Sequence, residues 1–176
     1  MTAPFTSPPL EVRAEWTDYN GHLNMAYYGV LFDNALDVAL APLGLGPEVA
    51  RKTGASVFTA QAQVHYLREL HAGDRVIVET RLIGHDAKRL HYVQTMRRVG
   101  ADEPVAVSEN LILHVDLNSR RVAPFAPEVL ARIAKRSRPM RTCHSPSRSA
   151  VESACGATSH EKGARGCPRG APDAVA

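Results

Sequence analysis

Apolar side chains fill almost every position of residues 25–40, and few polar residues interrupt the run. A helix that is apolar on nearly all sides is typical of a helix buried inside a larger structure. The run is too short, and too polar at Asp33 and Asp37, to span a membrane. Asn24 directly before it is a natural N-cap, and Pro42 directly after it favours a helix end. The pattern therefore predicts one long buried helix over residues 25–40.

The rest of the first 136 residues is dominated by alternating apolar and polar positions, which is the period of a half-buried strand. This alternation predicts five strands, over residues 10–16, 57–67, 75–83, 89–99 and 105–117. Short turns with Gly and Asp join the last four, so we expect neighbouring strands to be antiparallel. A short amphipathic helix is predicted over residues 127–136. The predicted fold class is α+β, with an antiparallel sheet of about five strands wrapped around one long central helix.

The composition divides the chain into three parts. Residues 1–9 are rich in proline and predict an extended N-terminus, and residues 10–136 form the predicted domain. Residues 137–176 are rich in Arg, Pro, Ser, Gly and Ala without apolar periodicity, so we predict that they are disordered. All three cysteines, Cys143, Cys155 and Cys167, lie in this tail without a tight pair spacing. We therefore expect neither a disulfide framework nor a cysteine metal site.

The charge is also unevenly distributed. The net charge of +3 comes entirely from residues 137–176, because the first 136 residues contain equal numbers of basic and acidic side chains. The basic balance is therefore no argument for nucleic-acid binding. The N-terminus lacks a basic segment followed by an apolar run, so we expect no signal peptide, no membrane segment and a cytoplasmic protein.

The turn that precedes the long helix holds the best candidate chemistry. The first backbone N–H groups of a helix are unpaired and carry positive dipole character, which suits a developing oxyanion. Asp18 lies a few residues upstream, where a carboxylate can act as base or nucleophile. Alternatively, Asp18 only caps an Asx/Gly-rich turn. His22 either orients the substrate or Asp18, or packs the turn, and the sequence leaves both roles open.

The segment WTDYNGHLNMAYY, residues 16–28, and the order of elements resemble the hotdog-fold acyl-CoA thioesterases of the 4-hydroxybenzoyl-CoA thioesterase type. The resemblance covers roughly residues 10–133. The segments FTAQAQVHYLRELHAGD, LIGHDAKRLH and HVDLNSRRVAPF are similar to the branch of betainyl-CoA thioesterases associated with carnitine breakdown.

The resemblance implies hydrolysis of an acyl-CoA thioester without a metal or a redox cofactor, since coenzyme A is part of the substrate. It assigns the role of base or nucleophile to Asp18. Backbone N–H groups from about His22 to Met25, at the helix start with Asn24, would hold the thioester oxygen. It also implies a homodimer or homotetramer whose sheets pair edge to edge. The partner chain would then contribute a polar group, with Ser56, Thr59 and Gln61 as candidates.

The residues around Asp18 are the candidates for substrate binding. Aromatic rings attract quaternary ammonium groups through cation–π interactions, although rings at helical spacing more often fill a core. The candidates are the aromatic residues Trp16, Tyr19, Tyr27, Tyr28 and Phe32, together with Asn20, Gly21, Leu23 and Met25. Lys88 and Arg89 follow a turn and either meet the phosphates of CoA or are simply solvated.

Two alternatives to a betainyl-CoA thioesterase remain open at this point. One is a thioesterase for another short or aromatic acyl-CoA. The other is a hotdog protein that binds acyl groups without catalysis, for which a carboxylate at Asp18 would be unnecessary. His65, His71, His85, His91 and His114 show no ligand spacing, so we expect surface or strand roles for them.

Overall fold

The computed structural model describes residues 3–140 as a sheet packed against one long helix. The elements in chain order are β1 (Phe5–Thr6), β2 (Leu10–Glu11), α1 (Met25–Leu40), α2 (Pro47–Thr53), β3 (Ala55–Tyr66), β4 (Arg75–His85), β5 (Arg89–Arg98), β6 (Pro104–Asp116), β7 (Arg121–Val122), α3 (Pro127–Ala134) and β8 (Arg138–Pro139). Residues 141–176 lie outside the described residues, so the predicted disorder of the tail stays a prediction.

The sheet is built from four long antiparallel strands in the order β4-β5-β6-β3. The short strands β1, β2 and β8 pair with β4, and β7 pairs with β6. The predicted α+β class with a central helix is confirmed. The described sheet has 8 strands rather than about five, because short segments near both ends of the domain add to its edges. β3 forms the opposite edge, and no described strand pairs with its outer side.

α1 packs on the sheet through one face, whose residues recur every three or four positions. The buried residues of this face are Tyr28, Leu31, Phe32, Ala35, Leu36, Ala39 and Leu40. The first half of the helix packs against Val76, Val78 and Met96, and the second half packs against Leu82, Leu90 and Ile112. Gln94 of β5 adds a buried polar link, since its amide donates to the carbonyl oxygen of Phe32 (2.9 Å) and to the Thr80 hydroxyl (3.2 Å).

The expectation that α1 is buried on nearly all sides is wrong for a single chain. Met25, Val30 and Val38 are 67%, 40% and 40% exposed. The sheet covers one side of the helix, and nothing among residues 3–140 covers the opposite side. The apolar residues on that side therefore form a surface rather than a second core.

A β-bulge in β3 changes which residues face the core. The predicted alternation places Phe58, Ala60, Ala62 and Val64 on one face of the strand. The register with β6 shifts between Thr59 and Gln61, and a one-residue shift moves the following side chains to the other face. Val57 and Val64 consequently both pack against the core, while Phe58 is 44% exposed.

Two predicted boundaries differ from the structure at the ends of the domain. The strand predicted over residues 10–16 stops at Glu11, because β4 begins at Arg75 and offers no further partner. At the other end, Ser137 Oγ lies 2.8 Å from His85 Nδ1, and the N–H of Met140 donates to the carbonyl oxygen of His85 (2.7 Å). The folded domain therefore extends to Met140, past the predicted boundary at residue 136.

Among residues 3–140, no single helix is long and apolar enough to cross a membrane. The segments Met25–Leu43 and Pro47–Thr53 reach that length and composition only as a pair, with a bend of 58° between them. α1 itself is a core helix of this domain.

Ending the chain after Arg136 should destabilise the domain, whereas ending it after Met140 should not. The shorter chain loses β8 and the Ser137–His85 hydrogen bond, and each lost bond costs about 0.5–1.5 kcal/mol. We expect the free energy of unfolding in urea to differ by about 1–3 kcal/mol between the two lengths. Ser137→Ala in the longer chain is the single-bond control and should lose about 1 kcal/mol. Equal unfolding free energies for both lengths would contradict a stabilising role of β8.

Candidate active site

Residues 17–24 form a closed turn that leads into α1. The N–H of Asp18 donates to the carbonyl oxygen of His22 (2.9 Å), and the N–H of Gly21 donates to that of Asp18 (3.0 Å). Gly21 has a φ of 80°, a left-handed conformation that favours glycine. The side chain of Asp18 accepts the N–H of Asn20 through Oδ1 (2.8 Å). Among the described residues nothing else hydrogen-bonds this half-buried carboxylate, so Oδ2 is open to a reactant.

Two of the four amides expected to hold an oxyanion are already paired. The N–H of Leu23 donates to the carbonyl oxygen of Leu70 (2.6 Å), and the N–H of Asn24 donates to that of Trp16 (2.9 Å). These bonds fix the turn against the loop that follows β3 and against the segment that precedes the turn. They also remove Leu23 and Asn24 from the set of available donors.

The remaining amides lie on either side of this pair. Asn24 is confirmed as the N-cap of α1, since its Oδ1 accepts the N–H of Ala26 (3.0 Å). Within residues 3–140, the N–H groups of His22 and Met25 have no hydrogen-bond acceptor. Of the four amides expected to hold an oxyanion, these two therefore remain unpaired, and the side chain of Asn24 caps the helix start.

A cleft of about 520 Å³ opens beside the turn, which is within the range of small-ligand sites. Its lining combines the turn and the start of α1 with the end of β3 and the loop after it. The lining residues are Asp18, His22, Leu23, Asn24, Met25, Tyr28, Tyr66, Leu67, Arg68 and Glu69. The Asp18 carboxylate and the free N–H of Met25 thus belong to residues that line one cleft.

Two tyrosines form one wall of this cleft. The rings of Tyr28 and Tyr66 meet edge to face with 5.1 Å between their centres. The Tyr28 hydroxyl donates to the carbonyl oxygen of Arg68 (3.1 Å), and the Tyr66 hydroxyl donates to that of Met25 (3.5 Å). Burial raises the pKa of Tyr28, so its hydroxyl stays protonated as a donor.

His22 faces the loop after β3, where its partner is an acidic residue. Its Nε2 lies 3.0 Å from Oε2 of Glu69. Glu69 in turn has its other oxygen 3.9 Å from Nε2 of His71. This arrangement supports neither of the two roles that the sequence left open, because it ties His22 to Glu69 instead.

The five aromatic candidates do not surround one pocket in this chain. Trp16 and Tyr27 stack on each other with 5.3 Å between ring centres, and the Arg13 guanidinium already lies 5.0 Å from the Trp16 ring. Tyr19 is 97% exposed, and Phe32 is buried in the core beneath α1. Only Tyr28 lines the cleft, because the rings follow the turn and the helix in different directions.

The candidates that lie far from the turn in sequence also lie far from this cleft. Lys88 and Arg89 stand in the turn between β4 and β5, where their N–H groups donate to Asp86. That turn precedes Leu90, which packs with the C-terminal half of α1 rather than with its start. Ser56, Thr59 and Gln61 lie in the first part of β3, away from its end at the cleft.

The other histidines lie in strands or at the surface, as expected. His91 pairs with the buried Glu109 (2.7 Å), and His114 Nδ1 lies 2.9 Å from the carbonyl oxygen of Ala123. His71 is exposed in the loop after β3, where it stands with Glu69 beside His22. Sequence reasoning missed Glu69, Arg68 and Tyr66 as cleft residues. The only available signal was the polar run RELH directly after a predicted strand.

Comparison with known proteins shows which family the chain belongs to. A family model, the thioesterase-like superfamily, matches residues 12–133. The chain belongs to the thioesterase-like superfamily. This thioesterase is 41% identical over 133 residues to betainyl-CoA thioesterase of Pseudomonas aeruginosa, a match that covers 76% of this chain and 84% of the relative.

Two further relatives place the chain in the same family. It is 33% identical over 135 residues to the L-carnitine dehydrogenase/betainyl-CoA thioesterase of Ruegeria pomeroyi, covering 77% of this chain and 27% of that protein. A solved structure of a candidate thioesterase from Pseudomonas putida KT2440 superposes with a TM-score of 0.67. That structure is 31% identical, and the match covers 97% of this chain and 100% of the other. The predicted hotdog family is confirmed, and the chain is a thioester hydrolase.

Proposed function

We propose that this thioesterase hydrolyses betainyl-CoA to betaine and free CoA, with Asp18 as general base or nucleophile. One observation carries the proposal: the Asp18 carboxylate and an unpaired helix-start amide belong to residues of the same cleft. The betainyl group is supported by the 41% identity to betainyl-CoA thioesterase of Pseudomonas aeruginosa. No cofactor enters the proposed reaction, because CoA leaves as product.

The proposed chemistry uses Asp18 on one side of the thioester carbonyl and the amides on the other. As a base, Asp18 takes a proton from a water molecule whose oxygen attacks the carbonyl carbon. As a nucleophile, its Oδ2 attacks the carbonyl carbon directly, and departure of the CoA thiolate leaves an anhydride that water hydrolyses in the last step. In either case the N–H of His22 or Met25 stabilises the oxyanion. The C–S bond then breaks, and the CoA thiolate leaves and takes up a proton.

Asp18→Asn should abolish most of the activity while leaving the fold intact. The amide keeps the Oδ1 acceptor for the N–H of Asn20 but removes the basic oxygen, so the hydrolysis rate should fall by at least about 10²-fold. A continuous thiol-release assay measures the rate, and the melting temperature reports the fold.

Asp116→Asn is the matched control for this variant. Asp116 also accepts backbone N–H groups in a turn, those of Asn118 and Ser119, and it lies outside the cleft. Its activity should match that of the unaltered enzyme. Near-normal turnover of Asp18→Asn would remove Asp18 from the mechanism.

The cleft residues also support recognition of a cationic acyl group. The lining contains two carboxylates, Asp18 and Glu69. The one guanidinium of this lining, Arg68, pairs with Glu103 (2.6 Å). A trimethylammonium group cannot donate a hydrogen bond, so its recognition depends on carboxylates, ring faces and shape. The ring of Tyr66 is 47% exposed at this wall, which makes it the best-placed aromatic face in the cleft of this chain.

Tyr66→Leu should narrow the preference for a cationic acyl group. We expect betainyl-CoA to be hydrolysed with a higher kcat/KM than its neutral tert-butyl analogue, and the ring contributes about 0.5–2 kcal/mol to this gap. The variant should lose the ring's contribution to the preference for betainyl-CoA while keeping most of its activity on the neutral analogue.

Tyr19→Leu is the control, because Tyr19 is 97% exposed and has no ring contact among the described residues. The difference in kcat/KM between betainyl-CoA and the neutral analogue should be the same for this variant as for the unaltered enzyme. Equal rates on the charged and neutral substrates in the unaltered enzyme would refute the betainyl assignment without touching the thioesterase chemistry.

We also propose that two copies pair through the outer edge of β3. This edge has no strand partner among residues 3–140, and apolar Phe58 on the strand and Leu67 directly after it are exposed. β3 is about 40 Å long at about 3.3 Å per residue. In a two-fold antiparallel pairing, the first part of one β3 lies beside the last part of the other.

This pairing would bring residues that lie away from the cleft in their own chain close to the cleft of the second copy. Ser56, Thr59 and Gln61 of a second copy would then approach the end of β3 that carries Tyr66. Lys88 and Arg89 of that copy, which lie at the far end of their own sheet, would be the corresponding basic residues for the CoA phosphates. A tetramer would require a further contact between such dimers.

Phe58→Glu should convert the proposed dimer into monomers and lower the activity with it. A carboxylate at this edge would be buried against the partner strand without an opposite charge, and the apolar burial of Phe58 would be lost. Light scattering coupled to size exclusion measures the mass. Val122→Glu is the control, because Val122 is similarly exposed (43%) on β7, away from β3. A Phe58→Glu protein with unchanged mass would contradict pairing through β3.

A further inference from the structure

Three potential metal ligands from two separate segments meet at the mouth of the cleft. Nε2 of His22 lies 3.0 Å from Oε2 of Glu69, and Nε2 of His71 lies 3.9 Å from Oε1 of the same residue. The donor atoms of all three side chains lie within 4.8 Å of one another. The two imidazole rings meet edge to face with 5.1 Å between their centres.

The two segments are held together by a backbone bond rather than by the side chains themselves. The N–H of Leu23 donates to the carbonyl oxygen of Leu70 (2.6 Å), and both leucine side chains are buried. His22 directly precedes Leu23, while Glu69 and His71 flank Leu70. The proximity of the three ligands is therefore a consequence of the core and does not depend on their own charges.

The loop that carries Glu69 and His71 is itself braced. Asp74 Oδ2 accepts the N–H of His71 (2.9 Å), and Nε of Arg98 donates to the same oxygen (3.1 Å). Arg98 also donates to the carbonyl oxygen of Glu69. A site in which ligands are positioned before binding pays less ordering entropy when the ligand arrives.

We propose that His22, Glu69 and His71 bind one divalent transition-metal cation of the zinc type. Two imidazoles and one carboxylate are a ligand set used by zinc sites that keep one position open. The side chains are 39%, 56% and 51% exposed, so an ion can reach them from solvent. Binding requires the donor atoms to lie about 2.0–2.2 Å from one ion, and the exposure of the three side chains leaves them room to rotate towards it.

The open coordination position would face the cleft, because His22 and Glu69 line the cleft and His71 does not. The ion would also join the turn before α1 to the loop after β3. An ion bound there would occupy the Glu69 carboxylate, which is also one of the two carboxylates proposed above to recognise a cationic acyl group. The competing explanation is that the cluster binds no metal and that His22 and Glu69 only pair with each other.

Zinc titration of the full chain distinguishes these explanations. Cys143, Cys155 and Cys167 are first replaced by serine, because thiolates would compete for the metal. After treatment with a chelator, Zn²⁺ binding is measured by calorimetry and Co²⁺ binding by visible absorption. We expect the protein to bind one more equivalent of Zn²⁺ than its His71→Ala variant.

Glu69→Gln and His22→Ala should each weaken this binding by at least about tenfold, because loss of even an outer-shell partner costs that much. His65→Ala is the matched control, since His65 contacts Gln63 on β3 and lies outside the cluster. It should bind Zn²⁺ like the unaltered protein. Circular dichroism checks that each variant is folded. Identical stoichiometry and affinity in His71→Ala, or no Zn²⁺ binding at all, would overturn the metal site and leave only the contact between His22 and Glu69.

Discussion

The burial of one face of α1 against the sheet decides where chemistry is possible in this domain. Leu31, Phe32, Leu36 and Leu40 are all nearly inaccessible, and each contributes about 1.5–3 kcal/mol by leaving water. The Asn24 cap contributes about 1 kcal/mol. Burial therefore fixes the position of the helix on the sheet, whereas the cap decides at which residue the helix begins.

The start of the helix is the part of α1 where backbone donors are free, and the structure controls which of them remain free. The Leu23–Leu70 and Asn24–Trp16 hydrogen bonds consume two amides and leave those of His22 and Met25. An unpaired N–H is costly when it is buried, but both residues line the cleft and Met25 is 67% exposed, so water or a substrate can accept from these donors. The same two bonds that hold the turn in place therefore also select the amides that can meet a carbonyl oxygen.

Local patterns predicted the elements well, because each pattern depends on residues close in sequence. The bounds of α1 follow from its apolar run and the Asn24 cap, and four strands follow from alternation. The bulge in β3 could not be predicted from the sequence of the strand, because it arises from the pairing of β3 with β6. The same holds for Glu69 and His71, which reach His22 only through the contact between Leu23 and Leu70. The five aromatic candidates lie close together in sequence, which suggested a shared pocket. Their rings point in different directions in the structure, so only Tyr28 of the five lines the cleft.

The exposed apolar surface on the uncovered side of α1 and near the end of β3 continues into the wall of the cleft. Met25 and Leu67 line the cleft and are themselves exposed apolar residues, 67% and 39% accessible. A cleft whose walls continue into an uncovered apolar surface is bounded on one side only. Oxyanion stabilisation is strongest where water is excluded, and a single chain does not exclude it here. The turn with Asp18 is thus formed within one chain, whereas the dry environment that would make its amides effective depends on whatever covers that surface.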